Sequence, residues 1–152
     1  MKALRKLLNL EFLPQSPDFG LLLLRLTLGG SMLWFHGRDK LMKFSSLASG
    51  FPDPLHIGSK ASAGLIVFAE VACAALLVLG FFTRFAAAGL AIAMGVAFFI
   101  IHKGRFSEGE MAFLYFAGFL AVLFAGPGKF ALEGKGGGSK GSAPKAPKPK
   151  DK

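Results

Sequence analysis

The stretch "AEVACAALLVLGFFTRFAAAGLAIAMGVAFFI", residues 69–100, decides the fold of this chain of 152 residues. It contains two long apolar runs separated only by "GFFTR", residues 80–84, so the two runs must form a tight antiparallel helical hairpin. At about 1.5 Å per residue, each run is long enough to cross a thin or locally adapted bilayer. We therefore predict two adjacent membrane spans, over about residues 61–82 and 85–101.

Two further apolar runs, about residues 19–35 and 111–125, flank this hairpin and bring the number of predicted spans to four. Hydrophobic residues make up 53% of the chain, 17 residues are Phe and nine are acidic, which is more apolar surface than a soluble domain of this length can bury. The net charge of +9 is concentrated at the termini and in short loops, which indicates membrane orientation rather than nucleic-acid binding. The predicted fold class is all-α, an integral membrane four-helix bundle in the lipid bilayer.

The two ends of the chain differ from this membrane domain of residues 19–133. Residues 1–18 are a predicted N-terminal interfacial segment, because "MKALRKLLNLEFL" at 1–13 places its leucines near one face of a short helix that Pro14 closes. Residues 134–152 contain no core-forming residue beyond alanine, which predicts a disordered C-terminal basic tail. This tail is either a solubilising end or a segment attracted to anionic lipid.

The distribution of basic residues predicts the orientation of the four spans. Both termini and the turn at Arg84 lie on one side, which carries eleven of the 18 Lys and Arg residues, against six on the other side. By the positive-inside rule, both termini are predicted to be cytoplasmic. The outer end of the first span then falls at His36; we expect Gly37 to end that helix and residues 38–40 to return the chain to water.

Several ionisable residues fall within or beside the spans. A carboxylate at membrane depth costs roughly 2.5 kcal/mol or more, so Glu70 needs a proton, a partner or a water-lined cavity. His36 and His102 fall at the outer ends of their spans, and Glu110 shares the predicted packing face of the fourth span with Ala117 and Ala121. The candidate polar cluster in the outer half of the bundle is therefore His36, Glu70, His102, Glu110 and Tyr115, with Arg25 nearer the inner end.

Simpler interpretations stay open for every member of this cluster except Glu70. The two histidines and Tyr115 also fit interfacial residues that mark where a span meets the headgroups. Glu110 also fits a residue that complements the positive N-terminus of its helix. Arg25 either extends to the inner phosphates or, because it shares a helical stripe with His36, points into the bundle.

The residue types also limit the redox and metal chemistry that the protein can perform. Cys73 is the chain's one cysteine, which excludes an intramolecular disulfide, a CxxC relay and a Cys-rich metal site. Redox chemistry would therefore need a bound cofactor or a partner subunit. A metal site of histidines and glutamates is the least favoured hypothesis, because helical HxxxH spacing is missing and the ligands would have to converge from separate spans, so no metal ligand is assigned.

The chain resembles the DoxX family of membrane proteins over about residues 19–133. The resemblance rests on "RLTLGGSMLWFHGRDKL" at 25–41, on "AEVACAALLVLGFFTR" at 69–84 and on "EGEMAFLYFAGFLAVLFAGPGKFALE" at 108–133. The matching positions are Arg25, His36, Gly37, Lys40, Glu70, Gly80, Thr83, Arg84, Glu110, Gly126, Pro127 and Gly128.

The resemblance implies a four-helix protein of the bacterial inner membrane in a family linked to a terminal quinol oxidase and to thiosulfate:quinone oxidoreductase. The first functional hypothesis is an accessory or structural subunit of a membrane redox assembly, with other membrane subunits or a second copy as partners. The alternative is a quinone-binding subunit, in which His36 and His102 would bind a quinone carbonyl and Glu70 or Glu110 would relay protons. No catalytic residue is assigned, and quinone is the one cofactor considered.

Overall fold

The computed structural model describes residues 2–10 and 12–133, and within them the chain is helical and contains no strand. The helices are α1 (Lys2–Leu8), α2 (Pro17–Met42), α3 (Phe44–Leu47), α4 (Ser59–Leu79), α5 (Thr83–Ile101) and α6 (Phe106–Ala125). Helix α1 lies within the helix predicted at 1–13. The tail predicted at residues 134–152 lies outside the described residues.

Helices α2, α4, α5 and α6 are each long and apolar enough to cross a membrane, so the prediction of an all-α, four-span protein is confirmed. They pack in a closed ring, in which α2 contacts α4, α4 contacts α5, α5 contacts α6, and α6 contacts α2. Consecutive spans run in opposite directions, which is the up-and-down arrangement of four-helix bundles. The side chains at the centre of the bundle include Met32, Cys73, Leu77, Leu90, Met94 and Phe119.

The local sequence explains where the spans begin and turn. Ser16 caps α2, because its hydroxyl accepts a hydrogen bond from the backbone N–H of Phe19 at 3.2 Å, and Pro17 suits the first helical position. Helix α4 ends before Gly80, whose φ of 71° lies in the left-handed region that closes many helices. Helix α5 begins at Thr83, so the tight hairpin predicted around "GFFTR" is confirmed.

The first span is longer than expected, and the prediction that Gly37 ends it is wrong. The helix continues through Gly37 to Met42, and the N–H of Arg38 donates to the carbonyl of Leu33. Asp39 and Lys43 form an ion pair at 2.7 Å on this added part of α2. Arg38, Asp39 and Lys40 therefore extend the helix beyond the apolar run instead of leaving it.

Three of the spans contain a π-helical turn, a feature that is frequent at functional sites. These turns are Met32–Gly37 in α2, Phe68–Cys73 in α4 and Val96–Ile101 in α5. The first contains His36, the second contains Glu70, and the third ends just before His102. Three residues of the predicted polar cluster thus lie in or beside an irregular turn.

The two ends of the bundle are built differently. The loop end comprises residues 43–58 and 102–105, which connect α2 to α4 and α5 to α6. The terminal end comprises the turn at 80–82 and the exit segment, residues 126–133, which packs back onto that turn. In the exit segment, the N–H of Glu133 donates to the carbonyl of Gly80 at 3.0 Å, and the carboxylate of Glu133 accepts from the N–H of Thr83 at 3.1 Å.

Candidate functional site

A cavity of about 580 Å³ lies between the four spans and reaches the loop end. Its wall is mainly apolar, and its polar side chains gather where the spans approach the loop end. Large, mostly apolar cavities with a few convergent polar groups are the usual binding sites for small molecules. The polar side chains of its wall are His36, Lys40, Ser62, Glu70, His102, Glu108 and Tyr115.

The centre of this polar group is an ion pair between Lys40 of α2 and Glu70 of α4. The Lys40 ammonium lies 2.5 Å from Glu70 Oε1; the side chain of Glu70 is 2% exposed and that of Lys40 is 28% exposed. Glu70 thus has the partner that its burial requires. Its second oxygen, Oε2, is buried and has no hydrogen-bond partner within the described residues.

Close packing at Gly37 brings this ion pair together. A Cβ atom at Gly37 would collide with the backbone carbonyl of Glu70, so only glycine allows α2 and α4 to approach this closely here. Lys40 follows Gly37 by three residues, which places it on the same side of α2, about one turn nearer the loop end. The π turn in each helix lies at this contact.

His36 and Tyr115 meet on the wall beside the ion pair. Their ring centroids lie 5.7 Å apart in an edge-to-face arrangement. The Tyr115 hydroxyl lies 2.9 Å from Ser31 Oγ and donates a hydrogen bond to it, which joins α6 to α2. Tyr115 is therefore a bundle residue with a fixed hydrogen bond, and His36 offers its ring to the cavity.

The structure brings together four of the six residues of the predicted cluster. His36, Glu70, His102 and Tyr115 all line the cavity, whereas Arg25 and Glu110 do not. Glu110 is exposed on α6 together with Ala117 and Ala121, so this stripe does not pack against the other helices of the bundle. The buried face of α6 carries larger residues instead, among them Tyr115, Phe119 and Val122.

Arg25 points into the bundle but at the terminal end. It is 1% exposed, and its guanidinium packs against Gly80 beneath the exit segment. Its Nε and Nη1 atoms find no hydrogen-bond partner in the described part of the chain. Arg25 is therefore separate from the cavity.

Sequence reasoning left three polar residues of the wall, Lys40, Ser62 and Glu108, out of the predicted cluster. Of these, Lys40 is the partner of Glu70. We expected the helix to end at Gly37, which would have placed Lys40 in water. If the helix is continued instead, His36 and Lys40 are four residues apart and share one face of α2. The four-residue spacing of His36 and Lys40 is the feature of the sequence that places Lys40 beside the cluster.

The loop between α3 and α4 covers the loop end of the cavity. Phe51, Pro52, Pro54, Leu55 and Ile57 from this loop line it. The carboxylate of Asp53 holds the loop, because it accepts hydrogen bonds from Ser62 Oγ at 2.8 Å, Gly58 N at 2.7 Å and Ile57 N at 3.0 Å. The bond from Ser62, followed by those from the two backbone groups, lowers the pKa of Asp53 below its ordinary value.

Metal binding finds no support among the described residues. No group of three or more His, Cys, Asp or Glu side chains in residues 2–10 and 12–133 is arranged to hold a metal ion. The cavity instead offers one cation, carboxylates, two imidazoles and a phenol on an apolar wall. Such a set can form hydrogen bonds with a polar head group and can exchange protons with it.

Comparisons with known proteins place the chain in a family. The DoxX family profile matches residues 20–103, from the start of α2 to just beyond α5, which is more than half of the chain. An uncharacterized protein of Haemophilus influenzae is 35% identical over 112 residues, which cover 68% of this chain and 81% of that protein. No solved structure matches the chain. The chain therefore belongs to the DoxX family and is a multi-pass membrane protein.

Proposed function

We propose that this protein is a quinone-binding subunit of a redox assembly in the bacterial inner membrane. The observation that carries the proposal is the buried carboxylate of Glu70, which has one oxygen paired with Lys40 and the other without a hydrogen-bond partner in the described residues, on the wall of an apolar cavity. A quinone has an apolar ring with carbonyl groups on opposite sides. Such a head group fits a site that is apolar except at one polar corner.

The side chains at this corner match both redox states of a quinone. Lys40 and a protonated histidine can donate hydrogen bonds to a quinone carbonyl, and Glu70 Oε2 can accept a hydrogen bond from a quinol hydroxyl. Reduction of a quinone to a quinol takes two electrons and two protons. Glu70 and His36 would transfer the protons, and the electrons would come from a partner subunit, because a single cysteine cannot cycle through an intramolecular disulfide.

The test is quinone binding followed by the fluorescence of Trp34, the one tryptophan of the chain. Trp34 lies on α2 but is 62% exposed and does not line the cavity, so free quinone also quenches its emission and the saturable part of the quenching measures binding. We expect Glu70→Gln to weaken binding of a chainless benzoquinone about tenfold, which equals about 1.4 kcal/mol and is the size of one lost hydrogen bond to a charged group.

The matched control is Asp39→Asn, the same chemical change on an exposed part of α2 that does not line the cavity. Binding in this variant should equal that of the wild type. Wild-type protein that does not bind the quinone, or equal binding in the Glu70 and Asp39 variants, would contradict the proposal.

A second candidate function, an accessory subunit that binds its partner through a helix face, is favoured by the outer surface of α6. Glu110, Ala117 and Ala121 lie four or seven residues apart and are all exposed. Small residues on a lipid-exposed face allow another helix to approach closely. Under this candidate, Ala117→Phe would release proteins that co-purify from native membrane in mild detergent, whereas Glu70→Gln would retain them.

The proposed orientation places both termini in the cytoplasm, with the cavity in the outer half of the membrane. Eleven of the 18 Lys and Arg residues lie on the side of the termini, which supports this orientation. A cysteine introduced at Ser139 of a Cys73→Ala protein should resist an impermeant maleimide in intact cells and react after permeabilisation. Reaction in intact cells would reverse the assignment.

A further inference from the structure

We propose that the apolar part of the cavity is a groove for the isoprenoid chain of the quinone, so that the ligand is a long-chain quinone that enters from the bilayer. This inference rests on the proposed function, which concerns the quinone head group, and extends it to the isoprenoid chain of the ligand. The observation behind it is that the cavity extends far beyond the polar corner, along one face of α5.

The shape of the groove follows from residues spaced four apart on α5. The cavity is lined there by Phe85, Gly89, Ala93, Ala97 and Ile101, which span about 24 Å of helix. The three middle residues have small side chains and the two end residues have large ones. Ile92, Met94 and Val96 of α5 also line the cavity, so the small residues form a depression between larger apolar side chains, which suits one extended hydrocarbon chain.

The groove is open to lipid on its side. Phe68, Ile92 and Met111 line the cavity and are nevertheless 51%, 69% and 61% exposed. In a multi-pass membrane protein, exposed apolar side chains on a spanning helix face the bilayer. The loop that Asp53 holds lies over the cavity at the loop end, and the exposed apolar side chains on α4, α5 and α6 open the groove toward the membrane.

The polar side chains of the cavity indicate which head group the isoprenoid chain must carry. Glu70 is 1% exposed and lines the same cavity as the groove, and its Oε2 atom has no hydrogen-bond partner in the described residues. A purely hydrocarbon ligand would leave this oxygen unpaired, and the Lys40–Glu70 pair has no net positive charge with which to bind an anionic phosphate head. A neutral head group that can donate a hydrogen bond, on a single long chain, fits both parts of the cavity. A quinol has this structure.

The experiment compares benzoquinones that carry no, a short and a long isoprenoid chain, with Trp34 quenching as the readout and detergent concentration held constant. Lipid is as apolar as the groove, so the chain gains affinity only by closer packing. We expect Ala93→Leu, which narrows the groove, to leave the affinity for the chainless quinone within about twofold and to weaken binding of the long-chain quinone on the order of three- to tenfold.

The matched control is Ala121→Leu, the same substitution at an exposed position of α6 that does not line the cavity. It should leave both affinities unchanged. If Ala93→Leu does not fold, Ala97→Leu makes the same comparison about one turn away on α5.

The outcomes separate the groove from the head-group site. A wild-type protein that binds the chainless quinone, with a long-chain affinity that Ala93→Leu and Ala97→Leu do not change, would overturn the groove and leave the proposed function standing. Absence of binding by every quinone would overturn both. A phospholipid that co-purifies with the wild type, is lost in Ala93→Leu and is not displaced by long-chain quinone would assign the groove to lipid instead.

Discussion

Glu70 at the loop end and Arg25 at the terminal end are both ionisable and both 1% exposed, yet their surroundings differ. Glu70 has a lysine partner and lies on the wall of a cavity. Arg25 is covered by the exit segment, and its guanidinium packs against the backbone of Gly80 and receives electrostatic attraction from Glu133. In this bundle, therefore, a buried charged side chain indicates a binding site only where a cavity lies next to it.

The position of each buried charge depends on a neighbouring glycine, but the two glycines have different structural roles. Gly80 closes α4 with a left-handed backbone and leaves room for a guanidinium. Gly37 lies inside a continuous helix and lets two helices meet at Glu70. At the terminal end, close packing fills the space. At the loop end, it positions an ion pair beside space that stays open.

The largest effect should follow from Gly80→Val at the terminal end. A Cβ there would collide with the Arg25 guanidinium and lie 2.7 Å from the Cα of Ala131, and the φ of 71° disfavours a β-branched residue. We expect a loss of about 4 kcal/mol in folding stability, from backbone strain and overpacking together. Thermal unfolding in detergent measures it, with Gly64→Val as the control, because the control position is open. An unchanged unfolding temperature would mean that the exit segment does not pack on this turn.

Gly37→Ala tests the helix contact that forms the site. The added methyl would collide with the carbonyl of Glu70 and lie 2.8 Å from its carbonyl carbon, so α2 and α4 must separate. We expect the free energy of unfolding to fall by about 3 kcal/mol and quinone binding to weaken as well. Gly30→Ala, in the same helix with open space around it, should be neutral or slightly stabilising. Equal behaviour of the two variants would refute the close contact.

Lys40→Met should have a smaller effect, because it removes one partner of a pair that is partly exposed. Breaking a fully buried pair costs about 3–5 kcal/mol, and the 28% exposure of Lys40 reduces our expectation to about 2 kcal/mol. The double variant Lys40→Met/Glu70→Leu should recover most of this stability without recovering quinone binding. Lys43→Met, which breaks an exposed pair, should cost less than about 1 kcal/mol. If both single variants cost the same, the Lys40–Glu70 pair is not buried.

The smallest effect concerns the loop that covers the cavity. The folded-state pKa of Asp53 is lowered, so its stabilisation of the loop is present above the ordinary pKa of 3.8 and is lost as the pH falls through the folded-state pKa. We expect faster amide exchange of Ile57 and Gly58 at pH 3 than at pH 6, after correction for intrinsic rates. Asp53→Asn should exchange fast at both pH values, and Asp39→Asn should behave like the wild type. A pH-independent wild-type loop would exclude this role of Asp53.

The sequence predicts the spans well because their apolar runs are long and the turn between two of them is short. It also predicts that Glu70 needs a partner, since the cost of burying a carboxylate does not depend on the fold. The identity of that partner was not predicted, because glycine ends many helices and nothing local to Gly37 says that a neighbouring helix will hold it in place. The same limit applies to Glu110, since small residues suit both a packing face and a lipid-exposed face.

The remaining features depend on contacts between distant parts of the chain. The exit segment covers Arg25 through bonds to Leu79 and Gly80, about fifty residues earlier in the sequence. The three π turns lie within apolar runs, whose periodicity does not show them. The length of the groove on α5 also depends on how far the neighbouring helices stand from Gly89 and Ala93.

We propose that the loop end, and not the terminal end, binds the quinone head group. Photolabelling with an azidoquinone in detergent, followed by peptide mapping, distinguishes the two ends. We predict labels on residues 32–40 of α2 and 66–73 of α4, with competition by unlabelled quinone and loss in Glu70→Gln. Labels spread over lipid-exposed residues such as Phe124, or concentrated at the exit segment and unaffected by competitor, would contradict the claim.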